Sequence, residues 1–367
     1  MSGVTYTGAG GFDLLLREYY ANATLYVTNC KDREFAHPIY NRNNHYPTVE
    51  DLRHGILSQA KQPMGVYAST ARYFDPHEPD VKDGWKGTDL VFDLDMDMNC
   101  DDRYTHINYM RKLTVRLVEE FLFDLGFVLE DMLFEYSGNK GFHIIIDNDD
   151  YLDLSKNQRS QICNYVRGAR LDKNLIFPQG TISIYGWGRQ GIHFLSELTD
   201  KPDETIERYF PGKTKSKLRV ELKKLMAIPA ILERVRNGDL KDFDIEKLQS
   251  GVVKRSKDFD KEGDFLKQSS GSGNIFDSKP TTDLKRIFRI AGSIHGKSGL
   301  PSVRLDWEQM QSTDLIVDEI MTIAGTDTVS IELEEEATIN FPFTKTLEAG
   351  VHDVPRYEAL CFLKPKN

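Results

Sequence analysis

Between Leu90 and Asp97 the chain reads Leu-Val-Phe-Asp-Leu-Asp-Met-Asp, with apolar residues at Phe92, Leu94 and Met96 and carboxylates at Asp93, Asp95 and Asp97. A period of two belongs to a strand, whose successive side chains leave on opposite faces. Thr88–Asp97 therefore predicts a strand that sends Phe92, Leu94 and Met96 into a core and lines up the acids on the other face. Downstream the period lengthens. Ile107, Met110, Leu113, Leu117, Phe121 and Leu125 recur at spacings of three and four, which predicts an amphipathic helix over Thr105–Leu125, closed by Gly126. Met132–Tyr136 and Phe142–Asp147 read as strands joined by the turn Ser137-Gly-Asn-Lys-Gly141. Ser155–Gly168 reads as a helix capped by Ser155, with Ile162, Tyr165 and Val166 on its buried side.

A strand, a helix and then a hairpin point to an α+β fold with mixed or antiparallel sheets flanked by helices, not to a doubly wound parallel sheet. From about Asp200 to Lys267 the character changes to long runs of helical periodicity with few clustered β-branched residues. This segment predicts a small helical insertion, residues 200–267, in a discontinuous main domain of residues 1–199 and 268–367. The Ser/Gly-rich stretch Gln268–Asn274 reads as the connector that closes it. The tail, Ser330–Asn367, alternates apolar and polar residues and predicts further strands. No internal repeat is visible.

With 367 residues, 40% of them hydrophobic, the chain has the composition of a globular protein. It contains no apolar run near the roughly 20 residues of a membrane span, and its start lacks the basic-then-apolar signature of a signal peptide, so the expected location is cytoplasmic with no membrane partner. Cys30, Cys100, Cys163 and Cys361 are scattered without a CxxC, which argues against a disulfide framework and a four-cysteine zinc site. The net charge of −10 argues against a protein that coats nucleic acid by bulk electrostatics, while leaving room for an enzyme with a local basic surface.

The chemistry concentrates in three segments. Carboxylates on one strand face repel unless a hard divalent cation lies between them, and Mg²⁺ or Mn²⁺ with nucleotide phosphates is the usual occupant. The turn Ser137–Gly141 with His143 combines glycines, a hydroxyl, a cation and an imidazole, the groups that cradle an anion. The third segment, from Asp277 to His295, carries an acid, Arg289 and an imidazole. Gly-Ser-Ile-His-Gly-Lys-Ser, 292–298, misses the P-loop spacing by one residue and lacks its parallel strand-to-helix context.

Leu-Val-Phe-Asp-Leu-Asp-Met-Asp, Ser-Gly-Asn-Lys-Gly-Phe-His-Ile and Phe-Arg-Ile-Ala-Gly-Ser-Ile-His-Gly-Lys-Ser-Gly-Leu, in this order and at these intervals, closely resemble the catalytic small subunit of the archaeo-eukaryotic DNA primases, most of all its archaeal form. Arg33-Glu-Phe35, Tyr40-Asn-Arg42, Tyr67-Ala-Ser-Thr with Tyr73, and Asp83–Leu90 extend the resemblance, which runs from about Arg33 to Arg304. It implies a primase-type catalytic domain and template-directed synthesis of short primers on single-stranded DNA in replication, from NTPs or dNTPs, by two-metal nucleotidyl transfer. It places the metal-binding catalytic roles on Asp93, Asp95 and Asp277, with Asp283 a poorer fit for the third. It places nucleotide phosphates against Ser137, Gly138, Lys140, His143, Arg289 and His295, with Lys297 a further contact. It sets Arg42 near the incoming nucleotide, although a solvated arginine fits that position equally well. Asp97 reads as a solvated strand end.

The chain departs from the family's pattern in two places. Asn139-Lys140 stands where most members carry arginine, giving a point charge instead of a bidentate fork. Cys100 and His106 are all that remains where many archaeal members have a zinc knuckle, and two candidate ligands do not make a tetrahedral site, so no structural zinc is expected. The resemblance further implies an iron–sulfur large subunit as heterodimer partner and location at replication sites. Lys213, Lys215, Lys217, Arg219, Lys223 and Lys224 read first as a solvated face and second as a template contact, and Glu332–Glu336 as a solvated edge. Two other readings stay open: a repair or end-joining polymerase of the same superfamily, and a catalytically silent structural subunit. All three carboxylates are present, which disfavours the second.

Overall fold

The computed structural model describes residues 4–37, 41–42, 44–78, 84–95, 102–168, 186–209, 217–237, 239, 251–252, 276–340 and 344–365. Asp97, Cys100, Lys213, Lys215 and the connector 268–274 lie outside them. The chain divides into two compact units, one of residues 1–115, 128–160 and 268–367, the other of residues 116–127 and 161–267. The expected insertion 200–267 falls inside the second unit. That unit also takes in 116–127 and 161–199, because Phe121 and Trp187 share a core, with ring centroids 5.1 Å apart.

The first unit is built on a five-stranded sheet in the order Val303–Leu305, Met132–Tyr136, Phe142–Ile146, Leu90–Leu94, Phe276–Asp277, antiparallel throughout. On one face Leu90, Phe92, Leu94, Phe142, Ile144 and Ile146 are fully or almost fully buried, as the alternation predicts. The opposite face is not simply polar. Val91 is buried too, and the carboxylate face opens only at Asp93 and beyond. A three-stranded sheet of Ile287–Arg289, Tyr67–Ser69 and Phe35–Ala36 faces this side, with the Phe288 ring edge-on to His143. The chain start and the tail form another sheet, where Thr5–Thr7 runs parallel to Thr328–Leu333 and Gly350–Pro355 pairs on its other side. The architecture is α+β, with mixed and antiparallel sheets flanked by helices.

Several elements differ from the sequence expectation. The helix predicted over Thr105–Leu125 is α-helical over Arg103–Leu117, then widens into a π-helical turn at Val118–Leu122 and tightens into a 3₁₀ turn before Gly126 at φ +89°. The helix Lys156–Arg167 buries Arg159 and Cys163, while Ile162, Tyr165 and Val166 are half-exposed. Hydrophobicity misses this face because Arg159 is buried as a hydrogen-bond hub. Its guanidinium donates to the carbonyls of Asp89 at 2.9 Å, Leu154 at 2.8 Å and Thr88, fastening the start of the carboxylate strand. Ser155 does form the cap, accepting from Gln158 N while Gln158 Oε1 takes Ser155 N. The tail delivers its strands and then an unpredicted helix, Arg356–Leu363, buried from Tyr357 onward.

Cys30 and Cys361 are buried free thiols, and Cys163 is buried. Of the basic cluster, Lys223 is held by Asp203 at 2.8 Å and Glu207 at 3.7 Å, and Lys224 is exposed. Glu332 and Glu334–Glu336 are exposed. Among the described residues no helix is long and apolar enough to cross a membrane.

Candidate active site

Strand register assembles the centre of the site. Across the five-stranded sheet, Arg304 stands opposite Glu135, Glu135 opposite His143, His143 opposite Asp93, and Asp93 opposite Asp277. Directly opposed residues share a face, so five residues from five strands form one polar row. Arg304 Nη2 donates to Glu135 Oε1 at 2.7 Å. The other oxygen, Oε2, lies 4.0 Å from His143 Nδ1, and His143 Nε2 lies 3.7 Å from Asp93 Oδ1.

The electrostatics of this row follow from burial and neighbours. Burial alone would push His143 down, but Glu135 and Asp93 on its two sides outweigh it and raise the pKa above the ordinary imidazole value. Asp93 is raised as well, first by burial and then by repulsion from Asp95 and Asp277, with His143 opposing. The donor set of Asp93, Asp95 and Asp277 is all carboxylate oxygen, which suits a hard divalent cation, and the crowding of Asp93 is the imbalance such an ion would relieve. Among the described residues no trio of acidic, His or Cys side chains is yet gathered round one metal position. Asp95 is exposed at the strand end, and Asp277 uses Oδ1 to cap the short helix after it, accepting Lys279 N at 3.0 Å.

Beside the carboxylates opens a cleft of about 180 Å³, lined by Asp93, Asp95, Ser137, Lys140, His143, Arg289 and His295 among the expected residues. The turn folds on Ser137, whose Oγ accepts from Gly141 N at 3.2 Å and Asn139 N at 3.4 Å. That leaves the hydroxyl proton for another acceptor. Gly138 sits at φ +83°, and a Cβ there would lie 3.0 Å from both His295 Cβ and Leu300 O, so glycine lets the turn close on the neighbouring loop. Gly141 is tighter still. A Cβ would meet Leu94 O at 1.9 Å, against the end of the carboxylate strand. Gly141→Ala is therefore expected to cost about 3 kcal/mol and to remove most activity, which thermal melting and a nucleotide-incorporation assay would show together.

His295 Nδ1 accepts the amide of Lys297 at 3.1 Å, which fixes the neutral ring with its proton on Nε2. Burial, and then the cations Arg289, Lys297, Arg103 and Lys140, push its pKa down to about 3. A neutral donor inside a field of four cations suits an anion. Arg289 is aimed by two hydrogen bonds of 2.8 Å, to Ile294 O and Tyr67 Oη. One wall of the cleft is thus anionic and the other cationic.

Arg42 approaches the segment that carries Arg286 without entering the cleft's lining. It pairs with Glu34 at 2.8 Å and donates to Lys285 O at 3.0 Å. The sequence reading also missed residues. Tyr67, Asn139, Arg286 and Phe288 line the cleft, and Glu135 stands behind His143. Tyr67, Asn139 and Phe288 stand inside segments already singled out. Glu135 carried no signal, since one acid in an apolar strand reads as an outward-facing residue.

The family model described as DNA primase small subunit matches residues 92–307. That span holds Asp93, Asp95, the turn, Asp277, Arg289 and His295. The DNA primase small subunit PriS of Methanosphaerula palustris is 29% identical over 308 residues, covering 81% of this chain and 79% of the relative. Those of Methanococcoides burtonii, 26% identical, and Methanothrix thermoacetophila, 27% identical, align over 94% and 95% of both partners respectively.

Proposed function

The chain belongs to the DNA primase small-subunit family, and from that premise we propose that its cleft joins nucleotides on a single-stranded DNA template to start primers for replication. The observation that carries this reading is the cross-strand row that ends in Asp93 and Asp277, set beside a turn and a loop suited to a polyphosphate. Asp93, Asp95 and Asp277 would hold two Mg²⁺ or Mn²⁺ ions, which would supply the acidity to activate a 3′-hydroxyl and the charge to offset a departing pyrophosphate. The chain's own groups bind and orient. Lys140, Arg289 and the Ser137 hydroxyl would take phosphate oxygens, the His295 Nε2 proton would add a neutral donor, and His143, its Nε2 3.7 Å from Asp93 Oδ1, would hold a proton beside that carboxylate. Iron–sulfur large subunit, template and NTPs or dNTPs are the partners this reading requires.

The test is synthesis on an unprimed single-stranded template with labelled NTPs and dNTPs, in Mg²⁺, in Mn²⁺ and in EDTA, with and without the large subunit. Product that needs template and a divalent ion is the expected result. Extension confined to pre-primed templates would replace initiation by repair synthesis. Absence of product under every condition would leave a structural subunit.

A further inference from the structure

A turn that cradles an anion must keep its carbonyl dipoles away from it. In the turn Ser137–Gly141 three consecutive carbonyls are tied back. Gly138 O accepts from Ser298 Oγ. Asn139 O accepts from Arg103 Nη1 at 2.8 Å and Tyr136 Oη at 2.9 Å. Lys140 O accepts from His106 Nε2 at 2.6 Å. Arg103 also reaches Asn139 Oδ1, at 3.1 Å, so one guanidinium grips main chain and side chain of the same residue.

Arg103 and His106 are one turn apart at the start of the helix Arg103–Leu117, and the helix begins eight positions after Asp95. Asp102 caps this end by accepting the amide of Tyr104 at 3.1 Å. The helix start is therefore anchored, and it meets the turn from behind while the cleft lies in front. His106 is buried, and as the partner of a carbonyl its Nε2 must be the protonated nitrogen. Burial, with Arg103 beside it, lowers its pKa and keeps the ring neutral.

We propose that Arg103 and His106 are positioning residues that hold the turn Ser137–Gly141 in its anion-receiving conformation for the incoming nucleoside triphosphate. The inference rests on the proposed function and assigns His106 a use other than metal ligation. Arg103 has a second effect, since its charge adds to the field that depresses His295.

The experiment compares wild type with His106→Leu, His106→Gln and Arg103→Met in the full chain. It measures nucleotide KM and kcat in primer synthesis, direct titration of the triphosphate, template affinity by anisotropy, and thermal melting. Loss of the one bond in His106→Leu, or of the two in Arg103→Met, should raise nucleotide KM and triphosphate Kd about tenfold or more. His106→Gln, whose amide can reach the same carbonyl, should stay within about threefold of wild type. Template affinity should not change. Should His106→Leu fail to fold, half-exposed Arg103 keeps the test open through Arg103→Met.

Unchanged nucleotide affinity in folded Arg103→Met or His106→Leu overturns the inference and leaves the proposed function standing. So does a parallel loss of template and nucleotide binding with lowered melting in both His106 variants, the mark of a merely structural residue. A wild type that neither synthesises primers nor binds triphosphate overturns both. A wild type that binds triphosphate without synthesis, and loses that binding in the variants, supports the inference and refutes the function.

Discussion

Asp93→Asn is expected to lower nucleotide incorporation by about 10³-fold or more while leaving the protein folded and, without divalent ions, more stable than wild type. Asp93 occupies the middle of the polar row, between His143 and Asp277, with its side chain only 16% exposed. Burial raises its pKa above the ordinary 3.8, and Asp95 and Asp277 add to the rise. The folded state therefore holds the Asp93 proton more tightly than the unfolded chain does. The stability it contributes is fully present below the unfolded value and is lost as pH rises through the raised folded value. An amide of the same shape removes that loss. Melting of the metal-free proteins should converge in acid and separate towards neutrality, with the variant higher.

Divalent ions should reverse the order. An ion that binds only the folded state stabilises by about 2.7 kcal/mol at a hundred times its Kd. Mg²⁺ or Mn²⁺ should raise the wild-type melting temperature and leave Asp93→Asn nearly unmoved. A variant that retains more than a tenth of wild-type synthesis, or gains as much from Mg²⁺ as wild type, would remove Asp93 from the metal site.

Asp89→Ala should destabilise the protein by about 3 to 5 kcal/mol, although Asp89 touches no part of the cleft. Its carboxylate lies between two buried guanidiniums, with Oδ2 at 2.6 Å from Arg33 Nη2 and Oδ1 at 2.7 Å from Arg72 Nη2. Side-chain exposures are 4% for Asp89 and 5% for each arginine. Arg72 keeps Asp147 at 2.7 Å and Asp149 at 2.9 Å, whereas Arg33 falls back on carbonyl and hydroxyl acceptors. Removing the anion thus strands buried positive charge at the root of the carboxylate strand. Glu204→Ala is the control, because its pair with Lys201 spans 3.8 Å between side chains 63% and 72% exposed. That change should stay within about 0.5 kcal/mol. Urea melts of the two variants should differ plainly, and similar midpoints would show that the Asp89 network is not a structural keystone.

Much of the site could be read before folding was considered. Asp93 and Asp95 share a face because strand geometry makes residues two apart do so, and the hairpin round Ser137–Gly141 is written in its glycines. Ser155 caps its helix as its position implies. Arg159 shows the limit. A charged residue is scored as solvent-facing, yet this one is fully buried because backbone carbonyls receive it. Arg42 shows another limit, since a motif position says nothing of the Glu34 carboxylate that holds it.

By itself the sequence determined the local periods, the tight turns and the order of three chemistry-bearing segments, because these depend on residues a few positions apart. Register decided the rest. Only pairing of Phe276–Asp277 alongside Leu90–Leu94 brings Asp277 beside Asp93, and only the strand Met132–Tyr136 sets Glu135 behind His143. Tertiary packing likewise set His106 Nε2 2.6 Å from the carbonyl of Lys140. Such contacts join residues far apart in the chain, and a slip of one residue in pairing would send each side chain to the other face.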